Sequence, residues 1–319
     1  MSRKALVTGA GGFIGNHLVD YLKSEGYWVR GVDLHLPEFS KSTADEYIIA
    51  DLRNYDACLE TTIKMDEVYN LAADMGGIGY ITEYLAPIAR NNVLINAHML
   101  EASRKNGIKK YFYSSSACIY PTNMQKESDL EPLKESDAYP ALPEEGYGWE
   151  KLYTEKLCEY YQKDYGLQTR IARFHNVYGP LGTFEGGKEK APAAICRKVS
   201  KAESGGYIDI WGDGLQTRSF MYIDDCIQGI YKIMQSEISV PLNLGMDNLV
   251  TIDEVTNIVI EISGKKLEKK YDISKPQGVR GRNSDNTKIK DLLGWSPSYP
   301  LKEGLRNTYI WIDSQTSQL

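Results

Sequence analysis

Long hydrophobic runs are missing from this 319-residue chain. No apolar stretch approaches the ~20 residues needed to cross a bilayer, and the opening MSRKALVTGA enters a strand pattern without a secretory h-region. A cytoplasmic location is therefore expected. Cysteines are few: Cys58, Cys118, Cys158, Cys196 and Cys226 form an odd set with no CxxC pair, beside only 4 histidines. That inventory argues against a disulfide framework and against a zinc site, so no metal is expected. Positive charge is also short, with 37 Lys and Arg against 43 Asp and Glu and a net charge of -6. A polyanion would be repelled at long range, so neither nucleic acid nor a membrane surface is an expected partner. Any anionic ligand must be met by a local group of Arg and Lys.

What is present is an alternation of short apolar runs and helical stretches: KALVTGA, HLVDYLKSEG, WVRGVD, EYIIADL, EVYNLAA and IKKYFYSSS. It predicts an α/β protein built on a doubly wound parallel sheet of the Rossmann kind, with a smaller α/β substrate-binding lobe. The strand runs are apolar throughout, as strands buried on both faces should be. After about residue 176 the pattern loosens into GPLGTFEGGKEKAP and GDGLQTR, then returns near FMYIDDCIQGIYKIM. The division expected is 1–176 with 219–247 for the dinucleotide-binding domain and 177–218 with 248–319 for the second lobe. The closing SQTSQL is expected to fray.

The first strand ends in Gly9-Ala10-Gly11-Gly12-Phe13-Ile14-Gly15, a GxxGxxG loop ahead of a helix. Gly9, Gly12 and Gly15 allow the tight turn, close approach to a pyrophosphate and close helix-on-strand packing, with Phe13 and Ile14 opening the helix. Asp33 ends the next strand, where a carboxylate accepts from ribose hydroxyls and repels a 2′-phosphate, so NAD is expected over NADP. Asp51 and Leu52, closing the third strand, are candidate adenine contacts. A capping or generic strand-end aspartate is the bland alternative at both places.

Tyr147 and Lys151 stand four apart in YGWEK, so a helix projects both from one face. A cation there is expected to lower the phenol's pKa and let Tyr147 take a proton from a substrate hydroxyl. YxxxK alone is common by chance; joined to the glycine loop and to Ser114-Ser115-Ser116 it is specific. With Asn70-Leu71-Ala72-Ala73 these motifs make the chain resemble the extended short-chain dehydrogenase/reductase family of nucleotide-sugar enzymes over nearly its whole length. The resemblance implies that Ser116 bonds the reacting hydroxyl, that Tyr147 is the base, that Lys151 binds the nicotinamide ribose, and that Ala72 lies on the cofactor.

Relatives that dehydrate sugars carry an acidic pair after the hydroxyl residue, whereas this chain has Ala117-Cys118, so dehydration is not expected. The segments SSACIYP, RFHNVYGP, GGKEKAP, WGDGLQTRSF and GVRGRNSDN resemble the GDP-mannose 3,5-epimerase branch of the family. That likeness implies oxidation at C4 by Tyr147 and NAD, with Cys118 and Lys190 as the acid-base pair at C5 and C3. On the residues alone, Cys118 reads first as a small buried apolar side chain and Lys190 as a solvated loop lysine; the resemblance reverses both readings. Arg218, Arg280 and Arg282 are candidate cations for a GDP-sugar diphosphate, with surface ion pairs as the alternative. Asn176 is a candidate for the diphosphate or sugar, and Gly76, in Gly76-Gly77-Ile78-Gly79, for closing over the sugar. A homodimer is what the family implies. A 4-epimerase, a decarboxylase of the same fold and a non-catalytic NAD-binding protein stay open as rivals.

Overall fold

The computed structural model describes residues 2–275 and 277–317. The strands in chain order are β1 (Lys4–Thr8), β2 (Trp28–Asp33), β3 (Glu46–Ile49), β4 (Glu67–Asn70), β5 (Lys110–Ser116), β6 (Gln168–Phe174) and β7 (Asn176–Tyr178). They continue with β8 (Tyr207–Trp211), β9 (Thr217–Tyr222), β10 (Leu242–Leu244), β11 (Leu249–Thr251), β12 (Glu268–Asp272) and β13 (Gly281–Arg282). The helices of the first half are α1 (Phe13–Ser24), α2 (Tyr55–Thr62), α3 (Ile78–Glu83), α4 (Leu85–Lys105) and α5 (Tyr147–Tyr165). Those of the second half are α6 (Ala191–Lys201), α7 (Ile223–Gln235), α8 (Ile252–Ser263), α9 (Thr287–Leu293) and α10 (Leu301–Thr316).

Seven strands form one sheet in the order β10-β6-β5-β4-β1-β2-β3, every neighbouring pair parallel. Successive residues of β1 and β5 serve opposite cores. Ala5, Val7 and Phe112 join one cluster, Leu6, Tyr111 and Tyr113 the other, which is why these strands carry no polar alternation. Helix α1 presents Gly15, Leu18, Val19 and Leu22 to the core at helical spacing, and α8 starts on a Thr251–Glu254 capping box. The chain leaves β1 toward β2 on one side and takes up β4 on the other, so the strand order reverses between them. Loops at the carboxyl ends of such neighbours part and leave a crevice.

The second lobe holds a four-stranded sheet, β11-β9-β13 with β7 beside β9, and the pair β12-β8. All of β9 belongs there, so the expected boundary at residue 219 cuts a strand and the return to the large sheet begins at α7. Apolar pattern did not distinguish the two sheets because β9 is buried in either setting; its extended partners decide. Ser314, Gln315 and Thr316 do not fray as expected: α10 runs through Thr316, with the Ser200 hydroxyl bonded to Asp313 and Thr316. The last two residues of SQTSQL lie outside the described residues. No described helix is long and apolar enough to cross a membrane.

Candidate active site

A continuous cavity of about 820 Å³ runs from the β1 and β4 loops to the second lobe. At its sheet end, Gly9 adopts φ 69° and the Gly12 N–H donates to its carbonyl at 3.1 Å. A Cβ on Gly15 would stand 2.0 Å from the Gly9 oxygen, and one on Gly9 would stand 2.9 Å from the Ala72 nitrogen. Both contacts leave room for backbone alone, so the turn packs closely against the start of α1 and against the loop after β4. Thr8 ties the neighbouring loop down: its Oγ1 accepts from the N–H groups of Leu71 and Ala72, each at 3.1 Å.

Asp33 accepts from the Gly11 N–H at 2.9 Å with one oxygen and from the Leu34 N–H at 2.6 Å with the other. Its carboxylate lines the cavity with Phe13, Ile14 and Leu52. Asp51 lines it too, yet is clasped by Arg53 at 2.6 Å, which holds its carboxyl below the usual range. The glycine cradle and the free lone pairs of Asp33 fit a dinucleotide with an unphosphorylated ribose.

At the centre, Tyr147 opens α5 and Lys151 lies one turn on, both buried. The Lys151 ammonium donates to the Ser114 carbonyl at 2.9 Å and stands 5.4 Å from the centre of the Tyr147 ring. The expected lowering of the Tyr147 pKa is not what this arrangement produces. Burial, then the charges of Cys118 and Glu150, push the phenol well above its ordinary value, with only the Ser116 hydroxyl pulling it down. Burial likewise pushes Lys151 down, against Glu150. Added positive charge is what the phenol needs. Glu150 is itself fixed by the Asn92 amide at 2.9 Å, and Asn96 links onward to Asn70 at 2.9 Å.

Ser116 caps the short turn Ala117–Ile119, accepting from the Cys118 N–H at 3.2 Å. Gly148 packs against that turn: a Cβ on it would stand 2.4 Å from the Cys118 carbonyl oxygen. Cys118 and Lys190 line the same cavity as Tyr147. Lys190 is the residue before α6, and burial lowers its ammonium while the Cys118 charge raises it, so the two groups sense each other. The Gly76–Gly77 loop reaches this end, the Gly77 N–H donating to the Lys188 carbonyl at 3.1 Å.

The three arginines part company. Arg218 lines the cavity and donates to the carbonyls of Thr217, Gln277 and Val279 at 2.7, 3.2 and 2.7 Å. None of these acceptors carries charge, and burial, followed by the nearby Arg282, lowers its guanidinium to about 10. Arg282 also lines the cavity, but its charge is met by Glu144, and its Nη1 lies 3.6 Å from Cys118 Sγ. Arg280 does not line it; it pairs at 2.8 Å with Asp213, which does not line it either, the surface ion pair foreseen as the alternative. Asn176 lines it and donates to the Ser219 carbonyl at 3.2 Å.

Among the lining residues that the sequence reading did not single out are His175 and Glu144. His175 sits beside Asn176, donates from Nε2 to Asn243 Oδ1 at 3.3 Å, and is lowered by burial to about 3, so it stays neutral. Glu144 precedes the YxxxK motif by three residues; a carboxylate that close to a catalytic helix was the signal available.

Residues 5–245 match the NAD dependent epimerase/dehydratase family. The chain is 50% identical over 314 residues to the GDP-mannose 3,5-epimerase of Arabidopsis thaliana, covering 98% of this chain and 82% of that protein. It is 50% identical over 311 residues to GDP-mannose 3,5-epimerase 1 of Oryza sativa subsp. indica, covering 97% and 81%. Among solved structures, the UDP-glucose 4-epimerase of Thermotoga maritima with UDP-glucose matches with a TM-score of 0.89 and 28% identity over 98% of this chain and 99% of that one. The UDP-glucuronic acid 4-epimerase of Bacillus cereus, with UDP-glucuronic acid and NAD, matches with a TM-score of 0.82, 28% identity and the same coverage.

Proposed function

The chain belongs to the NAD dependent epimerase/dehydratase family, and from that premise we propose that it epimerises GDP-mannose at C3 and C5 through transient oxidation at C4. The products are GDP-L-galactose and GDP-L-gulose. The observation that carries this reading is a thiol, Cys118, and an amine, Lys190, on the same cavity as Tyr147, in a chain half identical to two plant GDP-mannose 3,5-epimerases. A simple 4-epimerase needs Tyr147 and its cofactor but has no use for a second proton-transfer pair.

Gly9, Gly12, Gly15 and Asp33 would hold the dinucleotide, and Lys151, one turn after Tyr147, would bind its nicotinamide ribose. NAD+, when bound, supplies the hydride acceptor for C4 and a positive charge. Tyr147 takes the proton of the C4 hydroxyl, steadied by Ser116, and returns it at the end. A C4 ketone acidifies the hydrogens at C3 and C5, so a base on one face and an acid on the other invert each centre; Cys118 and Lys190 fill those parts. Arg218, which makes no ion pair among the described residues, takes the diphosphate, and Asn176 and the Gly76 loop border the sugar.

Incubation with GDP-mannose in D2O tests the reading. Deuterium is expected at C3 and C5 of recovered nucleotide sugar by NMR. Epimerisation at C4 without such exchange refutes it, because 4-epimerisation trades no carbon-bound hydrogen with solvent. A homodimer is part of the proposal: Trp149, Tyr153 and Tyr160 lie exposed along α5, with Leu85 exposed on the adjoining α4. Light scattering at the mass of one chain rejects it.

A further inference from the structure

Cys118 does not stand alone against the sugar. The Glu144 N–H donates to the Cys118 carbonyl at 3.0 Å, and the Glu144 carboxylate accepts from Nη2 of Arg282. The same guanidinium turns Nη1 toward Cys118 Sγ at 3.6 Å and Nε to Gln125 Oε1 at 2.6 Å. Thiol and carboxylate therefore share one cation, and all three side chains line the cavity. Cys118 and Arg282 are each only 8% exposed, so little water screens the charges.

We propose that Glu144 is a positioning residue for Cys118: clamped to Arg282, it holds the guanidinium against the sulfur and sets the balance between thiol and thiolate. The proposal deepens the epimerase reading, on which the proton-transfer role of Cys118 rests. Arg282 alone would favour the thiolate; the carboxylate cancels that cation, so the sulfur keeps its proton and forms thiolate only against the field of Glu144. The direction agrees: burial, then Glu144, push the Cys118 thiol up, and Arg282 pulls it down. The other groups facing the sulfur are Lys190, Lys151 and Arg218, cations that each sense its charge, and the Tyr147 phenol. Against that set, neutralising Glu144 frees Arg282, the cation whose Nη1 lies 3.6 Å from the sulfur. The fork geometry also explains why Arg282 is not left over for a diphosphate.

Glu144→Gln removes the charge and keeps an acceptor for Arg282. Cys58, Cys158, Cys196 and Cys226 are each 0% exposed, so the pH dependence of iodoacetamide alkylation on the folded protein reads Cys118. The alkylation midpoint is expected to fall by about one pH unit or more in Glu144→Gln and to return toward the unmodified protein's value in Glu144→Asp. Arg282→Gln is expected to raise the midpoint, and it carries the test if Glu144→Gln does not fold. An unchanged or raised midpoint in Glu144→Gln, or no rise in Arg282→Gln, overturns the proposal. Alkylation needs no sugar, so this outcome is separate from whether GDP-mannose is turned over.

Discussion

Arg218 offers a quantitative test of how the cavity receives an anion. Its guanidinium is half-buried, satisfied by three neutral carbonyls and lowered to about 10, first by burial and then by Arg282. A fall of that size corresponds to about 3 kcal/mol of unfavourable field, and the water reaching a half-buried side chain reduces it to about 1–2 kcal/mol. The sign is that of a base whose charged form is disfavoured on folding. At neutral pH both folded and unfolded chains hold the proton, so the whole penalty is present. Arg218→Met removes the penalty and also three hydrogen bonds, each worth about 1 kcal/mol net, whose carbonyl acceptors regain water from the cavity. Stability without ligand is therefore expected to fall by about 1–2 kcal/mol, a melting shift of roughly 2–3 °C. Binding behaves differently. A diphosphate loses a charge-assisted partner worth about 1.5–3 kcal/mol, a roughly 10- to 150-fold weaker affinity. Thermal unfolding without ligand and calorimetric titration with GDP read the two effects separately. A variant that loses more than about 2 kcal/mol of stability while binding GDP as before refutes the reasoning, because Arg218 would then be holding the lobe together rather than waiting for an anion.

The remaining expectations concern the chemistry and the cofactor loop. Cys118→Ser keeps C4 oxidation, visible as reduced nicotinamide absorbance on adding GDP-mannose, while deuterium exchange at C3 and C5 falls about 100-fold or more; exchange at the usual rate removes the thiol from the mechanism. Tyr147→Phe is expected to abolish both signals, and reduced nicotinamide still forming at full rate would assign the C4 proton elsewhere. Gly15→Ala places a Cβ 2.0 Å from the Gly9 oxygen, inside any tolerable contact. The turn must open, at about 1–3 kcal/mol, so a melting point several degrees lower and NAD binding at least ~10-fold weaker are expected by calorimetry; unchanged NAD affinity refutes the cradle.

How much of this was legible in the chain depends on how local each cause is. The parallel sheet followed from apolar runs alternating with helical spacing, because burial on both faces leaves its mark residue by residue. The Gly9–Gly15 loop and Asp33 were legible because a turn, a close approach and a strand end are set within a few residues. Tyr147 and Lys151 were legible because helical geometry alone puts them on one face. The assignment of β9 was not, since the same apolar strand suits either sheet and only its hydrogen-bonded neighbours choose.

The arginines mark the limit most sharply. By themselves the residues of GDGLQTRSF and GVRGRNSDN determined that this acidic chain keeps cations in reserve near its second lobe, and nothing in their spacing separates Arg218, Arg280 and Arg282. Tertiary structure decided that Arg280 meets Asp213 outside the cavity lining, that Arg282 meets Glu144 and the sulfur, and that Arg218 lines the cavity with no ion pair among the described residues. The reason is physical: a fold is written in short-range pattern and burial, whereas the use of a charge depends on which opposite charges reach it from far along the chain, Asp213 to Arg280 across 67 residues and Glu144 to Arg282 across 138.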